Sequence, residues 1–298
     1  MLCCFGAEAL IRPTRHLAAR LFAVRLIAVR LMAVRLMAVR LMAALLLALL
    51  LATAGRADAE RRRDGEPHRT HGTTGAAAIT KLAVPVDRSA FVAFGPKSSA
   101  RAVVYLHGIC GDPLAFSSWV SAATRHATVL SLVGELECDD KPGRTKWGYD
   151  FGRTNQRVTR ALAAASAARR ARGEAPLDDR EVALIGYSQG ARRAEWLAGA
   201  FPRRYRRVAI IGIAVEPSPA RLGGAKAVLL MAGELDARKH ILAGRDALQK
   251  AGKRVRYLEL PNARHGEYGP KARSVMGEGL AWLFDAQDTG RATVRPAR

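Results

Sequence analysis

From about residue 76 onward, short apolar runs alternate with longer Ala-rich, Arg-studded segments, a pattern that predicts strands separated by helices. ITKLAVPV and AFVAFG read as an opening pair of strands, AVVYLH as a buried strand and DPLAFSSWVSAATRHA as a helix. TVLSLVGE (strand), NQRVTRALAAASAARRAR (helix), EVALIGY (strand) and QGARRAEWLAGAF (helix) follow. RVAIIGIAV, AKAVLLMAG and RVRYLELP complete the strands, with HILAGRDALQKAG and ARSVMGEGLAWLFDA as the later helices. Near-continuous Val, Ile and Leu in the middle runs suits strands covered on both faces. The expected class is therefore α/β, a mostly parallel central sheet of about eight strands with helices on both sides.

The first sixty residues follow no such pattern. RLFAVRLIAVRLMAVRLMAVRLM repeats with a period of five, and on a helix five residues advance about 500°, so Arg20, Arg25, Arg30, Arg35 and Arg40 would spiral around every face. In a bilayer each such Arg would cost roughly 2.5–3.5 kcal/mol near the centre, so the repeat is not expected to be a folded or spanning element. LMAALLLALLLATAG then forms an uncharged run of about fifteen residues, followed by Ala57-Asp58-Ala59. The expectation is a secretory signal removed after Ala59, or after Ala54 as second choice, with Met32 or Met37 as possible true starts. A retained anchor over residues 41–54 is the alternative. The boundaries expected are thus 1–59 for the targeting segment, 60–75 for a flexible linker, 76–288 for the folded domain and 289–298 for a flexible tail. His68 and His71 fall in the linker, where exposure is the simpler reading than metal binding.

Charge changes the picture little. The formal net charge is +22, and only nine of the 48 basic residues are Lys. Residues 1–59 carry eight Arg and two acids, a net of six charges, so the remainder keeps +16. Such a surface suits anionic cell-envelope polymers, but neither the basic residues nor the sparse aromatics assemble a nucleic-acid-binding module. Nothing in the sequence calls for a metal or an organic cofactor.

The chemistry concentrates at LIGYSQGA, where an apolar strand runs through Gly186-Tyr187-Ser188-Gln189-Gly190 straight into an Ala-rich helix. A turn this sharp strains its central residue and tolerates almost no side chain beside it, which the glycines satisfy. It also lifts the serine to the positive end of a helix dipole. Five residues alone are weak, but in the strand-turn-helix context the chain resembles the α/β-hydrolase fold family, whose nucleophile elbow matches residues 186–190. The resemblance covers roughly residues 76–286.

It implies a serine hydrolase with Ser188 as nucleophile and the acid and base following in chain order. Only His240 and His265 lie beyond Ser188. His265, in the Gly-rich PNARHGEYGP after the last strand, takes the base position, whereas His240 falls in a helix. Asp236, just past AKAVLLMAG, takes the acid position, with Glu216 as runner-up, Glu234 third, and helix capping as the alternative use of Asp236. The oxyanion donors implied are the backbone N–H groups of Gln189 and of Ile109, the latter in His107-Gly108-Ile109-Cys110-Gly111, with His107 locking that loop.

Cys3 and Cys4 belong to the targeting segment. In the implied fold the strands preceding Cys110 and Cys138 are neighbours, so a disulfide between them is expected in an exported chain, with two free thiols as the alternative. Only EPSPARLGGA separates two strands where lidded members insert a cap, which implies an open site. Trp147 and Tyr149 are either cleft-lining or ordinary packing aromatics. The expected function is hydrolysis of carboxylic esters, small or lipid-like, by an exported enzyme. The alternatives are a peptidase or thioesterase on the same fold, or a non-catalytic basic module that binds the envelope.

Overall fold

The computed structural model describes residues 77–285. The expected targeting segment, linker, tail and the alternative anchor at 41–54 lie outside the described residues, as do Cys3 and Cys4. Ten strands are present among the described residues: β1 (Thr80–Leu82), β2 (Ala90–Ala93), β3 (Ala102–Leu106), β4 (Thr128–Leu132), β5 (Leu136–Cys138), β6 (Lys141–Lys146), β7 (Val182–Tyr187), β8 (Arg207–Ile211), β9 (Ala227–Gly233) and β10 (Val255–Leu260). The helices are α1 (Val120–Ala123), α2 (Phe151–Ala171), α3 (Gln189–Ala200), α4 (Lys239–Lys250) and α5 (Ala272–Phe284). None of them is long and apolar enough to cross a membrane.

Eight strands form one sheet in the order β1-β2-β4-β3-β7-β8-β9-β10. β2 runs antiparallel to both of its neighbours, β1 and β4; β4, β3, β7, β8, β9 and β10 are parallel. Every residue of β3, β4, β7 and β9 is buried. Alternate side chains therefore feed two cores: Val104, Leu106, Leu184 and Val208 pack with α2 and α3, while Tyr105, Ile185, Ala209 and Met231 pack with α5 and the β3–β4 connection. The parallel order brings the carboxyl ends of β3, β7, β9 and β10 to one edge, where ligands bind in such sheets.

Two segments differ from expectation. DPLAFSSWVSAATRHA is not one helix but a 3₁₀ turn, Ala115–Ser118, followed by the single turn α1. Asp112 Oδ1 accepts from Leu114 N–H at 2.8 Å, closing a side-chain turn ahead of it. Trp119, at φ −130°, leaves the helical region to put its ring against Tyr105, Phe116 and Tyr268. Second, residues 136–146 form the antiparallel hairpin β5–β6, where the sequence shows only a loop. Its strands are exposed apart from the buried Cys138 and Thr145 and the half-buried Lys146, so no hydrophobic alternation marks them.

Candidate active site

β7 ends at Tyr187, and α3 starts two residues later, leaving Ser188 between them at φ 51°, ψ −112°. A β-carbon on Gly186 would sit 2.2 Å from the Gly190 carbonyl oxygen, and one on Gly190 would sit 2.0 Å from that of Leu106. Only hydrogen fits at either position, so the turn that the two glycines permit is also the only one the packing leaves room for. β7 lies between β3 and β8, which places Ser188 mid-sheet at the carboxyl edge, at the N-terminus of α3.

His265 joins two side chains that are remote from each other along the chain. Its Nε2 lies 3.0 Å from Ser188 Oγ, and its Nδ1 lies 2.8 Å from Asp236 Oδ2. The Asp236 side chain is only 8% exposed, against 49% for His265. Asp236 Oδ1 accepts from Ala237 N–H at 2.7 Å, so the carboxylate both orders its own turn and faces the imidazole. The loops carrying the pair are knit together: Glu234 N–H donates to the Leu260 carbonyl, Leu235 N–H to that of Ala263, and Asn262 N–H to Glu234 Oε2. Glu216 and His240 are exposed and neither hydrogen-bonds Ser188, Asp236 or His265, and Glu234 is spent on the Asn262 turn.

Facing Ser188 is the β3 loop. His107 is fully buried, and burial lowers its pKa, so the ring is neutral. Its Nδ1–H donates to the Gly108 carbonyl at 2.7 Å, leaving Nε2 to accept from Gly134 N–H at 3.1 Å and from the Thr145 hydroxyl at 3.2 Å. Trp147 Nε1–H donates to the His107 carbonyl at 2.7 Å. Cys110 and Cys138 form a disulfide with Cα atoms 5.8 Å apart. Gly111 bridges Thr145 and Arg144 pairs with Asp112 at 3.3 Å, so the hairpin clamps the loop along its length. Ile109 is exposed beside Ser188, and a cavity of about 130 Å³ runs between Ile109, Ala115, Tyr187, Ser188, His265 and Tyr268. A larger cavity, about 480 Å³, is lined by residues such as Arg101, Asp178 and Arg207, and none of Ser188, Asp236 or His265 borders it.

No protein-family model matches the sequence, and no curated protein matches it. Solved structures do. A Thermus thermophilus protein superposes with a TM-score of 0.50 at 17% identity, covering 71% of this chain and 99% of its own. An esterase, PE8, gives 0.50 at 18% identity over 68% and 100%. A fluorophosphonate-binding serine hydrolase of Staphylococcus aureus gives 0.50 at 12% identity over 72% and 100%. The chain has the α/β-hydrolase fold.

Within the α/β-hydrolase fold the short β8–β9 connection carries no cap: residues 212–226 form only turns. Trp147 is buried and packs against His107 with ring centroids 5.1 Å apart, so it supports the loop, whereas Tyr149 is 90% exposed. Two contacts had no sequence signal. Tyr187 Oη accepts from Gly266 N–H at 2.8 Å and donates to the Glu267 carbonyl at 3.4 Å, across a separation of 79 and 80 residues. The Gln189 side chain pairs with the Trp147 backbone, its Oε1 accepting at 2.9 Å and its Nε2 donating at 3.3 Å.

Proposed function

We propose that the protein is a serine hydrolase that cleaves carboxylic esters through an acyl-enzyme on Ser188. The observation that carries this reading is the imidazole of His265 lying within hydrogen-bond reach of both Ser188 Oγ and Asp236 Oδ2. Asp236 accepts from Nδ1–H, which leaves Nε2 as the proton acceptor. His265 takes the serine proton as Oγ attacks the ester carbonyl, and Asp236 stabilises the imidazolium. The tetrahedral oxyanion is received by the N–H groups of Gln189 and Ile109, the first backed by the α3 dipole. Collapse releases the alcohol, protonated by His265. Water, deprotonated by the same nitrogen, then attacks the acyl-enzyme and returns a carboxylic acid and free Ser188.

The cavity beside Ser188 holds about four water volumes, which favours a short group on one side of the ester. The uncapped edge leaves the other side open to solvent. The Cys110–Cys138 disulfide supports an oxidising compartment, in line with the targeting signal expected at residues 1–59. The basic surface supports retention near anionic envelope polymers.

A fluorophosphonate probe tests the reading. It should label the native protein and not Ser188→Ala, whose turnover of p-nitrophenyl acetate should drop by roughly 10⁴ or more. Equal labelling of the two proteins rejects the assignment, and faster cleavage of peptide amides than of esters moves it to peptidase.

A further inference from the structure

A second cavity, about 250 Å³, opens along α3 and is lined by Tyr149, Phe151, Gln189, Arg192, Arg193 and Trp196. The α3 members fall at i, i+3, i+4 and i+7, one face of the helix that starts at the nucleophile. Arg192 N–H bonds to the Ser188 carbonyl, so Arg192 is one turn from Ser188, about 6 Å along the axis. Ser188 itself does not line the cavity, but Gln189, the residue that follows it, does.

Arg193 is the unusual member. It is 5% exposed, and among the described residues its Nη1 has no hydrogen-bond partner and no carboxylate forms an ion pair with it. The carboxylates that reach it electrostatically, Glu135 and Asp150, are committed elsewhere. Glu135 accepts from Gly148 N–H and the Thr154 hydroxyl, each at 2.6 Å, and Asp150 accepts from Arg153 N–H at 2.8 Å. Burial pulls the Arg193 pKa below its ordinary value, and the fields of Glu135 and Asp150 offset that only in part. Its Cζ sits 4.4 Å above the Phe151 ring, which in turn stacks on Trp196 at 5.1 Å and 12°. That stack holds the guanidinium in place without neutralising it. A buried guanidinium at a cavity wall with no direct ion pair or hydrogen bond can accept an anion as its partner.

We propose that this cavity is a subsite for a carboxylate carried by the ester substrate, bound by the guanidinium of Arg193. A single buried guanidinium matches a planar monoanion, and Arg192, exposed in the same cavity, adds attraction. The preferred substrates are then half-esters or other acidic esters rather than neutral ones. This specificity rests on the hydrolase reading, but occupancy of the subsite does not require turnover.

Two arms separate the two ideas. In the first, adipate is added to the wild type, Ser188→Ala and Arg193→Met, and melting temperature is compared with sodium chloride of equal ionic strength. Adipate should stabilise the first two proteins and not the third. Equal shifts in all three, or none in the wild type, overturn the subsite, whatever the enzyme does. In the second, kcat/KM for monoethyl adipate is compared with that for ethyl hexanoate. The wild-type ratio should favour the acidic ester by about tenfold or more and collapse in Arg193→Met. A wild-type ratio near one overturns the proposal. Hydrolysis of neither ester counts against the serine hydrolase alone, since the melting arm still decides the subsite. Should Arg193→Met fail to fold, a crystal of the wild type with adipate decides: density at Arg193 supports the subsite, and density only elsewhere overturns it.

Discussion

The hydroxyl of Tyr187 takes the N–H of Gly266 at 2.8 Å, tying the residue before Ser188 to the residue after His265. The same hydroxyl donates to the Glu267 carbonyl, and the Tyr187 ring meets the imidazole edge-on at 5.7 Å. Burial raises the phenol pKa to about 12, so the donor persists at any working pH. Ser188 and His265 are thus held in register by the Tyr187 side chain.

Tyr187→Phe removes both hydrogen bonds while keeping the ring. Loss of roughly 1 kcal/mol per bond predicts about a five- to thirtyfold fall in fluorophosphonate labelling rate and in kcat, with KM little changed. Because a stability defect alone would not slow labelling of the folded fraction, a labelling rate equal to wild type would show that the tyrosine is merely structural.

For Asp236→Asn, the amide keeps the size of the side chain but cannot stabilise the imidazolium or hold Nδ1–H as a donor. Esterase kcat is expected to fall by about 10³–10⁴. Glu216→Gln, a change on an exposed side chain that does not hydrogen-bond the cluster, should leave kcat at the wild-type value. A large loss with Glu216→Gln and a small one with Asp236→Asn would transfer the acid role to the earlier carboxylate.

The disulfide closes a separation of 28 residues. Replacing both Cys110 and Cys138 by Ser should lower unfolding free energy by about 3–4 kcal/mol in the chain-entropy model, read by urea titration. The released loop carries Ile109, so kcat should also fall. Unchanged kcat with lowered stability would mean that His107, Thr145 and Trp147 hold the loop unaided.

Acid should loosen the same loop. The folded pKa of His107 lies below 6.5 because of burial, whereas the unfolded chain titrates near that value. Above pH 6.5 the ring is neutral in both states, and no stability hangs on it. Below 6.5, the unfolded chain binds a proton that the folded one refuses, so stability falls as pH drops toward the folded pKa. His126 is lowered in the same sense by burial and by Arg125, so the comparison must be between variants. His107→Gln, which keeps an acceptor for Gly134 N–H, should show a shallower loss of melting temperature between neutral and acid pH. Parallel slopes for the two proteins would remove His107 from the account.

The fold could be read from the chain because burial on both faces leaves an unmistakable signature. VALIGY and AVLLMAG are apolar throughout, and they became β7 and β9, the strands that deliver Ser188 and Asp236 to one edge. The spacing of Gly186 and Gly190 around Ser188 was equally legible, since steric exclusion at a tight turn acts within a few residues. The hairpin β5–β6 was not, because its strands are polar and stabilised by a disulfide and by contacts to the His107 loop rather than by a hydrophobic face. The helix expected after β3 shrank to one turn because burying the Trp119 ring outweighed local helix preference.

By itself the sequence determined the alternation of strands and helices, the strained turn at Ser188 and the chain order of Asp236 and His265. The first two follow from periodicity and from sterics between near neighbours, and the positions of Asp236 and His265 from the resemblance to the α/β-hydrolase family. Only the tertiary structure decided that the Tyr187 hydroxyl grips Gly266, that Gln189 pairs with the Trp147 backbone and that Arg193 is buried without a direct ion pair. Those relationships join residues from separate loops and helices, and pattern along a chain carries no record of which distant groups will share one desolvated space.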